Sequence, residues 1–453
     1  MDINTGYAIG YDLNDIQTQI SYFELNNDSP ESLVSDGENE RLGIPTVLCK
    51  RSKVNQWSFG TEAVRLINTE GEAEVNKILS LALSQKSISI DGEEFKGLDL
   101  LILFVRKSMD LLSVYVPIDQ IRRLVFTVPE FDRRMLSVLE RVAAAVPIAR
   151  DRIMFQSYAE SVYCYMIHQP TELWDTECVV FDHDEKRMKV YDMKMNHRTE
   201  PVVAVIDEAE FEGLGVPDKE VYYEDDSEMG ADDVKAEADN EELQVPKRAS
   251  INEEQAEKLD VQLYDIVHNF LSSRPIRSVF LLGAGFDGEW CKQTIKFLCL
   301  GRRVFQGRNM YSKGACYYGM DNISPGELNE KYIFLGKDKL KFNLGIYMDR
   351  NDKEEYIALA DGGVNWYDIS TEVEFMLYKG SKVELIVTPL DGKEARVIEV
   401  LLDGLPERPP KTTRLKMKVS FMSGDTLRVE IEDKGFGEIF GSSGQKWEEE
   451  FNI

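Results

Sequence analysis

The sequence predicts a two-lobed α/β module followed by an all-β sandwich. Two short strand pairs, at 7–25 and 178–193, each open a region in which strands and helices alternate, which is typical of an α/β domain. Beyond residue 324 the helical period gives way to two-residue alternation between turn residues. Evenly spaced alternating runs of this kind indicate a sandwich.

Composition excludes several classes of function. The 453 residues include 53 Lys and Arg against 81 Asp and Glu, a net charge of −28, whereas nucleic-acid binding requires basic patches. Any bound nucleotide should therefore bring Mg²⁺ with it. No apolar stretch is long enough to cross a membrane, and the N-terminus does not read as a secretory signal. The six cysteines and four histidines form no metal-type pattern, so we expect free thiols in a cytoplasmic protein.

The first lobe, about residues 1–170, should hold a sheet covered by helices. Alternating and buried runs predict strands within 7–25 and at 44–48, 123–128 and 152–155, with helices over 98–115, 132–146 and 159–167. Asp132 stands where an N-cap would begin the second of these helices. This order of elements predicts parallel strands joined by helical crossovers.

The second lobe, about residues 171–322, should repeat the first. It reads as strands at 178–181 and 188–193, a helix beginning after Asn252, a strand at 278–282 and a helix over 290–300. Fourteen Asp or Glu and two Lys lie between Asp207 and Asn240. Such a segment cannot bury enough apolar surface to fold, so we expect a disordered insertion at about 213–250. It is either a solvated loop or a docking segment for a partner.

The remainder, residues 323–453, should form the sandwich. Apolar residues alternate in five runs near 340–346, 373–377, 383–387, 415–421 and 427–431. Glycine-containing turns separate the runs, as at Asp361-Gly362-Gly363 and Ser423-Gly424-Asp425.

Three motifs stand where strands end. Gly10-Tyr11-Asp12-Leu13-Asn14 and Val180-Phe181-Asp182 each place an aspartate at the turn of a predicted strand pair. The run Leu282-Gly283-Ala284-Gly285-Phe286-Asp287-Gly288 follows a buried strand and precedes a helix. Glycines in such a turn let backbone approach a ligand closely, although tight structural turns use the same residues.

These motifs, in this order, together with Leu402–Leu405 and Val429–Gly437, resemble the DnaK-like heat-shock chaperones. That resemblance implies an actin-like fold, with two ribonuclease H-like lobes, followed by a peptide-binding β-sandwich. It implies Mg²⁺ with ATP or ADP as cofactor, and a protein or extended peptide as partner. Asp12 and Asp182 would be catalytic and would hold Mg²⁺ through water. The nucleotide would contact Asp12, Asn14, Asp182, Gly283, Gly285 and Gly288.

The sequence departs from the chaperone pattern at the phosphate. Asn14, Asp15 and Ile16 replace the family's Gly-Thr-Thr, and the run His183–Arg187 replaces a run of glycines. The family's catalytic glutamate aligns with Ser157, and Glu160 lies three residues further on. No helical lid is expected after the last strand, and the nearest match to an apolar interdomain linker is Tyr332–Leu335.

Two hypotheses follow from these departures. The chain is either a divergent chaperone-like protein that binds adenine nucleotide weakly and hydrolyses it poorly or not at all, or a nucleotide-free scaffold on an actin-like frame. In both, the β-domain would take up an extended peptide by strand addition or would simply pack on the frame. A sugar kinase of the same superfamily is disfavoured, because such kinases carry no C-terminal sandwich.

Overall fold

The structure, a computed structural model, describes residues 6–34, 43–51, 56–184, 186–217, 219–222, 248–272, 274–350, 353–390 and 392–453. It is a mixed α/β protein with several sheets. The chain divides into two compact units. Unit 1 comprises residues 1–169, 195–206 and 309–453, and unit 2 comprises residues 170–194 and 207–308. The predicted acidic insertion lies mostly outside the described residues.

The N-terminal region of unit 1, up to residue 169, is built on a mixed sheet. Its strands are β1 (Tyr7–Asp12), β2 (Gln17–Glu24), β3 (Glu31–Ser32), β4 (Gly43–Pro45), β5 (Leu48–Lys50), β6 (Trp57–Phe59), β7 (Ala73–Val75), β8 (Ser87–Ile90), β9 (Glu93–Lys96), β10 (Ile121–Val128) and β11 (Ile153–Ser157). Its helices are α1 (Gly60–Glu70), α2 (Ile78–Leu83), α3 (Gly97–Leu112), α4 (Arg133–Ala143) and α5 (Tyr158–Ile167).

The main sheet of this region has the order β11-β10-β1-β2-β3. Strands β1, β10 and β11 are parallel, and β2 runs antiparallel to β1. The predicted strands within 7–25 and at 123–128 and 152–155 are confirmed, as are the three predicted helices and the N-cap, where the Asp132 side chain accepts a hydrogen bond from Met135 N at 2.7 Å. The single strand predicted at 44–48 was wrong, because β4 and β5 lie there in different sheets. The sequence analysis missed α1, α2 and the strands β3 and β6–β9. The strands and α2 are too short to show a period, and α1 buries only Gly60, Ala63 and Leu66, which gives a weak apolar pattern.

Unit 2 contains the second sheet. The strands that lie wholly or partly in it are β12 (Glu177–His183), β13 (Arg187–Asn196), β14 (Val202–Glu212), β15 (Lys219–Tyr222), β16 (Arg248–Ile251), β17 (Ser278–Leu282) and β18 (Arg303–Gln306). Its helices are α6 (Glu253–Leu271) and α7 (Lys292–Leu298). The strand order β18-β17-β12-β13-β14 has β12 parallel to β17 and antiparallel to β13, which repeats the pattern of the first sheet.

A helix after unit 2 returns the chain to unit 1. The elements here are α8 (Met310–Ile323), α9 (Glu327–Lys331) and β19 (Tyr332–Phe334). Helix α8 lies against β1 and α5 at two glycines. A Cβ added at Gly10 would lie 1.9 Å from Ser312 O, and one added at Gly314 would lie 2.0 Å from Ser161 O. The expectation of no helix beyond residue 324 was wrong for α9, whose five residues are too few to show a period.

The β-module, residues 339–453, consists of two antiparallel sheets. Its strands are β20 (Phe342–Arg350), β21 (Lys353–Ala360), β22 (Ser370–Leu377), β23 (Lys382–Pro389), β24 (Arg396–Leu401), β25 (Thr413–Ser423), β26 (Thr426–Asp433) and β27 (Lys446–Asn452). The sheet orders are β21-β20-β23-β24 and β22-β25-β26-β27. Inward residues of both sheets, among them Leu344, Leu385, Met417 and Val429, form a single core.

None of the helices in the described ranges is both long and apolar enough to span a membrane. All six cysteines are free thiols, and only Cys299 is exposed.

A buried ion pair holds the glycine-rich turn before β27. Asp433 is fully buried and accepts hydrogen bonds from both Arg408 terminal nitrogens, at 2.9 and 2.8 Å. Gly435 N and Ser443 N also donate to it, at 2.9 and 2.8 Å. The Arg408 guanidinium and these donors hold the pKa of the Asp433 carboxyl well below its usual range.

We therefore predict that Arg408→Met lowers the free energy of unfolding by about 3–5 kcal/mol, because it leaves a buried carboxylate without a counter-charge. Urea denaturation measures this loss. The exposed Arg414 offers the control, since Arg414→Met should change stability by less than about 0.5 kcal/mol.

The same pair sets a pH dependence. Because the folded-state pKa of Asp433 is depressed, its contribution is complete above the ordinary aspartate pKa of 3.8 and is lost as the pH falls through the folded value. The stability difference between the wild type and Asp433→Asn should therefore shrink on acidification from about pH 5 to about pH 2. A difference that stays constant would contradict this assignment.

Candidate functional site

The predicted site residues lie at two strand ends, which we call the first and second corners. The first corner is the carboxyl end of β1 with the turn that follows Asp12. Asp12 is 3% exposed, and its Oδ1 accepts hydrogen bonds from the Tyr158 hydroxyl and, at 3.3 Å, from Asn14 Nδ2. Tyr158 opens helix α5, and its ring stacks on that of Tyr311 at 3.7 Å between centroids. The Asp12 carboxylate is thus enclosed by a tyrosine that the sequence analysis did not single out.

The turn after Asp12 bonds to its own side chains. Asn14 Oδ1 accepts the backbone N–H groups of Ile16 and Gln17 at 2.8 and 2.9 Å, and Asn14 Nδ2 donates to Gln17 O at 2.9 Å. Asp15 accepts from Ser80, through its backbone N–H at 3.1 Å and through its hydroxyl. The backbone N–H groups at 16 and 17 therefore already have an acceptor within the chain, as in an Asx turn.

The second corner lies in unit 2, where β12 and β17 end side by side. Asp182 is half-buried and pairs in register with Leu282, so Gly283 follows directly beside it. Gly283 has a φ of +87°, and a Cβ there would lie 2.2 Å from His183 O and 2.8 Å from Asp182 Oδ1. The predicted residues Asp182 and Gly283 thus meet, and only glycine fits between them.

His183 takes the space against the second glycine of this turn. It is fully buried, and a Cβ at Gly285 would lie 2.5 Å from its Cγ. Its ring packs edge-on against Phe286 and Trp290, at 5.5 and 6.3 Å between centroids. Burial lowers the pKa of the His183 imidazole, so the ring is neutral at physiological pH.

The third glycine of this turn, Gly288, allows a backbone conformation that the turn requires. Gly288 has a φ of +91°, a conformation that side chains disfavour, and it lies where the turn leads towards α7. Further along, the buried Asp260 of α6 accepts the N–H groups of Gln293 and Thr294 at 2.6 and 3.0 Å and so caps α7. This cap explains why α7 begins at Lys292, two residues later than predicted.

The predicted site residues therefore fall into two groups. Asp12 and Asn14 are neighbours in unit 1, whereas Asp182, Gly283, Gly285 and Gly288 belong to unit 2. Tyr158 and His183, which enclose the two corners, were missed. The replacement of a glycine by His183 could have pointed to this residue, but the sequence does not show in which direction its side chain packs. In the part of the chain that the structure describes, no group of three or more His, Cys, Asp or Glu could hold a metal ion directly.

A second candidate site is the outer face of the sheet β21-β20-β23-β24. Neighbouring residues in register, Ala358, Gly345, Ile386 and Val397, form a row across all four strands. The Tyr356 ring covers Gly345, since a Cβ there would lie 2.2 Å from Tyr356 Cζ.

Exposed aromatic and aliphatic side chains lie on this outer face, both in the row and beside it. Tyr347 and Tyr356 pack at 5.5 Å between centroids and are 53% and 40% exposed. On β24, Val397 and Leu401 are 54% and 51% exposed. Strand β24 pairs only with β23 among the strands described, so it is an edge of the sheet.

Charged side chains of β23 and β24 also lie beside the row. Lys382 Nζ lies 2.7 Å from Glu384 and 2.5 Å from Glu399, which stand opposite each other on β23 and β24. The apolar row therefore continues to an unpaired edge, with an ion-paired group alongside.

Comparison with known families divides the chain near residue 338. A profile described as the C-terminal part of a family of unknown function, DUF5716, matches residues 29–337. A second, described as a domain of unknown function, DUF8552, matches residues 339–453, the β-module. No curated protein matches the chain.

The packing of Gly283 yields a prediction for unit 2. Gly283→Ala should lower the free energy of unfolding by about 3 kcal/mol, because a left-handed backbone and a close approach to His183 O are both violated. Gly307→Ala is the matched control, since its Cβ would meet only Leu282 Cδ2 at 3.5 Å, an ordinary contact. Thermal and urea unfolding of the two variants measure the difference. Equal stabilities would show that His183 can move away.

Proposed function

The chain belongs to the DUF5716 family, and for this member we propose a function as a cytoplasmic interaction protein on an actin-like frame. In this proposal the β-module takes up an extended apolar segment of a partner protein, as in a chaperone, while the nucleotide pocket has lost its phosphate-binding part. The observation that carries it is the apolar row of the β-module, which continues to the open edge strand β24.

The frame is proposed from repeated topology. Each of the two sheets has three neighbouring parallel strands, in the orders β11-β10-β1 and β18-β17-β12. The next strand in each order, β2 or β13, runs antiparallel to its neighbour. In each, an aspartate lies at the carboxyl end of the first strand: Asp12 is the last residue of β1, and Asp182 is the residue before the last of β12. A duplicated arrangement of this kind supports descent from a two-lobed ancestor with the acidic corners retained.

The residues present fit Mg²⁺-ATP poorly, and we infer that nucleotide chemistry is lost. Backbone N–H groups at Ile16 and Gln17 are bound by Asn14 rather than left for a phosphate. Asp15 adds a carboxylate at the same turn, which would repel a phosphate at close range. In unit 2, His183 occupies the space that Gly285 leaves open. The scaffold hypothesis is therefore favoured over weak ATP binding.

Strand addition is the proposed mode of partner binding. An edge strand offers unpaired N–H and C=O groups, which give affinity, while alternate side chains of the added strand give specificity. On β24, Val397 and Leu401 lie on the outer face and would contact those side chains. A partner segment with alternating apolar residues would bury this face.

We predict that Mg²⁺-ATP at millimolar concentration leaves the melting temperature of the protein unchanged, because a ligand raises the midpoint only when it binds the native state. Differential scanning fluorimetry measures the midpoint with and without nucleotide. The double variant Asp12→Asn with Asp182→Asn is the control. A rise that disappears in this variant would restore the nucleotide-binding hypothesis and overturn the inference drawn from Asn14.

We also predict that Val397→Lys abolishes binding of extended apolar peptides, since it places a charge on the row beside the edge. The probe is an array of heptapeptides with alternating Val, Leu or Tyr, and binding is measured by fluorescence anisotropy. Ile439→Lys changes another residue of the β-module, 86% exposed in the glycine-rich turn, and should bind normally.

A chemical control separates strand addition from simple contact with the face. Peptides methylated at alternate backbone nitrogens keep their side chains, but one edge of the extended peptide can no longer donate backbone hydrogen bonds to a neighbouring strand. They should lose binding when the methylated edge faces β24. Full binding by both methylated forms, or by Val397→Lys, would refute the proposed mode.

A further inference from the structure

A buried ion pair joins the β-module to the N-terminal region within unit 1. Lys339 Nζ lies 2.6 Å from Glu160 Oε1, and the two side chains are 10% and 4% exposed. Glu160 belongs to α5, whereas Lys339 begins the β-module. Among the described residues, Glu160 is the only carboxylate that forms an ion pair with Lys339.

Tyrosine rings and a buried amide lie beside this pair. Lys339 Nζ lies 5.9 Å from the centre of the Tyr318 ring, and Lys339 forms a bridge with Asn365. Burial raises the pKa values of Tyr318 and Tyr367 well above their usual range, so both phenols stay protonated. Glu160 Oε2 and Asn365 Oδ1 are buried without a hydrogen-bond partner. Glu160 Oε1 is therefore the carboxylate oxygen that pairs with the Lys339 ammonium.

Directional contacts surround the ion pair on the same joint. The Tyr367 hydroxyl donates to Phe155 O at 2.8 Å, and the Phe131 and Tyr367 rings lie 4.5 Å apart. Arg133 donates to Phe421 O at 2.6 Å, and its guanidinium lies 5.9 Å from the Trp366 ring. Phe131 and Leu136 pack against the core of the β-module.

We infer that the Lys339–Glu160 pair is a docking lock that fixes the β-module to the N-terminal region in one register. Apolar contact alone is non-directional and would tolerate sliding. A buried charge without its partner is strongly unfavourable, so docking succeeds only where Lys339 meets Glu160. The joint is independent of the proposed partner site, and the β-module is held as a fixed platform rather than on a flexible tether.

Hydrogen exchange of backbone amides close to Lys339 in the chain tests the lock. Leu340 N donates to Val364 O at 2.9 Å, and Trp366 N donates to Asp338 O at 3.0 Å. In Glu160→Gln or Lys339→Met, peptides covering 335–341 and 363–368 should exchange roughly a hundredfold faster, because one buried charge loses its partner. Exchange in the central strands β10 and β25 should stay unchanged, which separates undocking from unfolding.

The double variant Glu160→Gln with Lys339→Met removes both charges and keeps the test decisive if a single variant folds poorly. Its exchange should be slower than that of either single variant, since no buried charge is left unpaired. Lys341→Met, at an exposed lysine two residues away, should behave as the wild type. Either of two results would overturn the inference. One is an acceleration of exchange in the double variant equal to the product of the two single-variant accelerations, and the other is wild-type exchange in both single variants.

Discussion

The structure of unit 1 depends on the close approach of helix α8 to strand β1 and helix α5. Gly10 and Gly314 make that approach possible, since a Cβ at either position would overlap backbone oxygen at about 2 Å. With α8 this close, Tyr311 reaches Tyr158 and stacks on it, and Tyr158 in turn bonds to Asp12. A packing constraint between backbones thereby determines the chemistry available at the end of β1.

The chain's own residues occupy both turns at which the sequence predicted nucleotide contacts. In unit 1 the side chain of Asn14 binds the turn's backbone N–H groups, and in unit 2 the backbone and ring of His183 lie against Gly283 and Gly285. Asn14 satisfies the N–H groups of Ile16 and Gln17, whereas His183 fills the space beside the two glycines. The proposed loss of nucleotide binding is compatible with this fold, because buried polar groups need a partner and do not need a particular one.

The β-module combines a rigid base with an open edge. Its base is held by Lys339, Tyr367 and the core contacts of Phe131, all within unit 1. On the outer face of one of its sheets, Tyr347 and Val397 are exposed. A platform held in one orientation would favour the proposed strand addition, since little conformational entropy would be lost on the platform's side.

The sequence by itself determined the order and type of the longer elements, because helical and alternating periods are local properties of ten or more residues. It placed β1, α3, α4, α6 and five strands of the β-module, which are β20, β22, β23, β25 and β26, and it located the turns at Asp12, Asp182 and Gly283. Only the tertiary structure decided what those turns contact. Tyr158, His183 and the partners Glu160 and Lys339 are brought to their sites by residues distant in the chain, and no local pattern records which side chain will fill a space that glycine leaves.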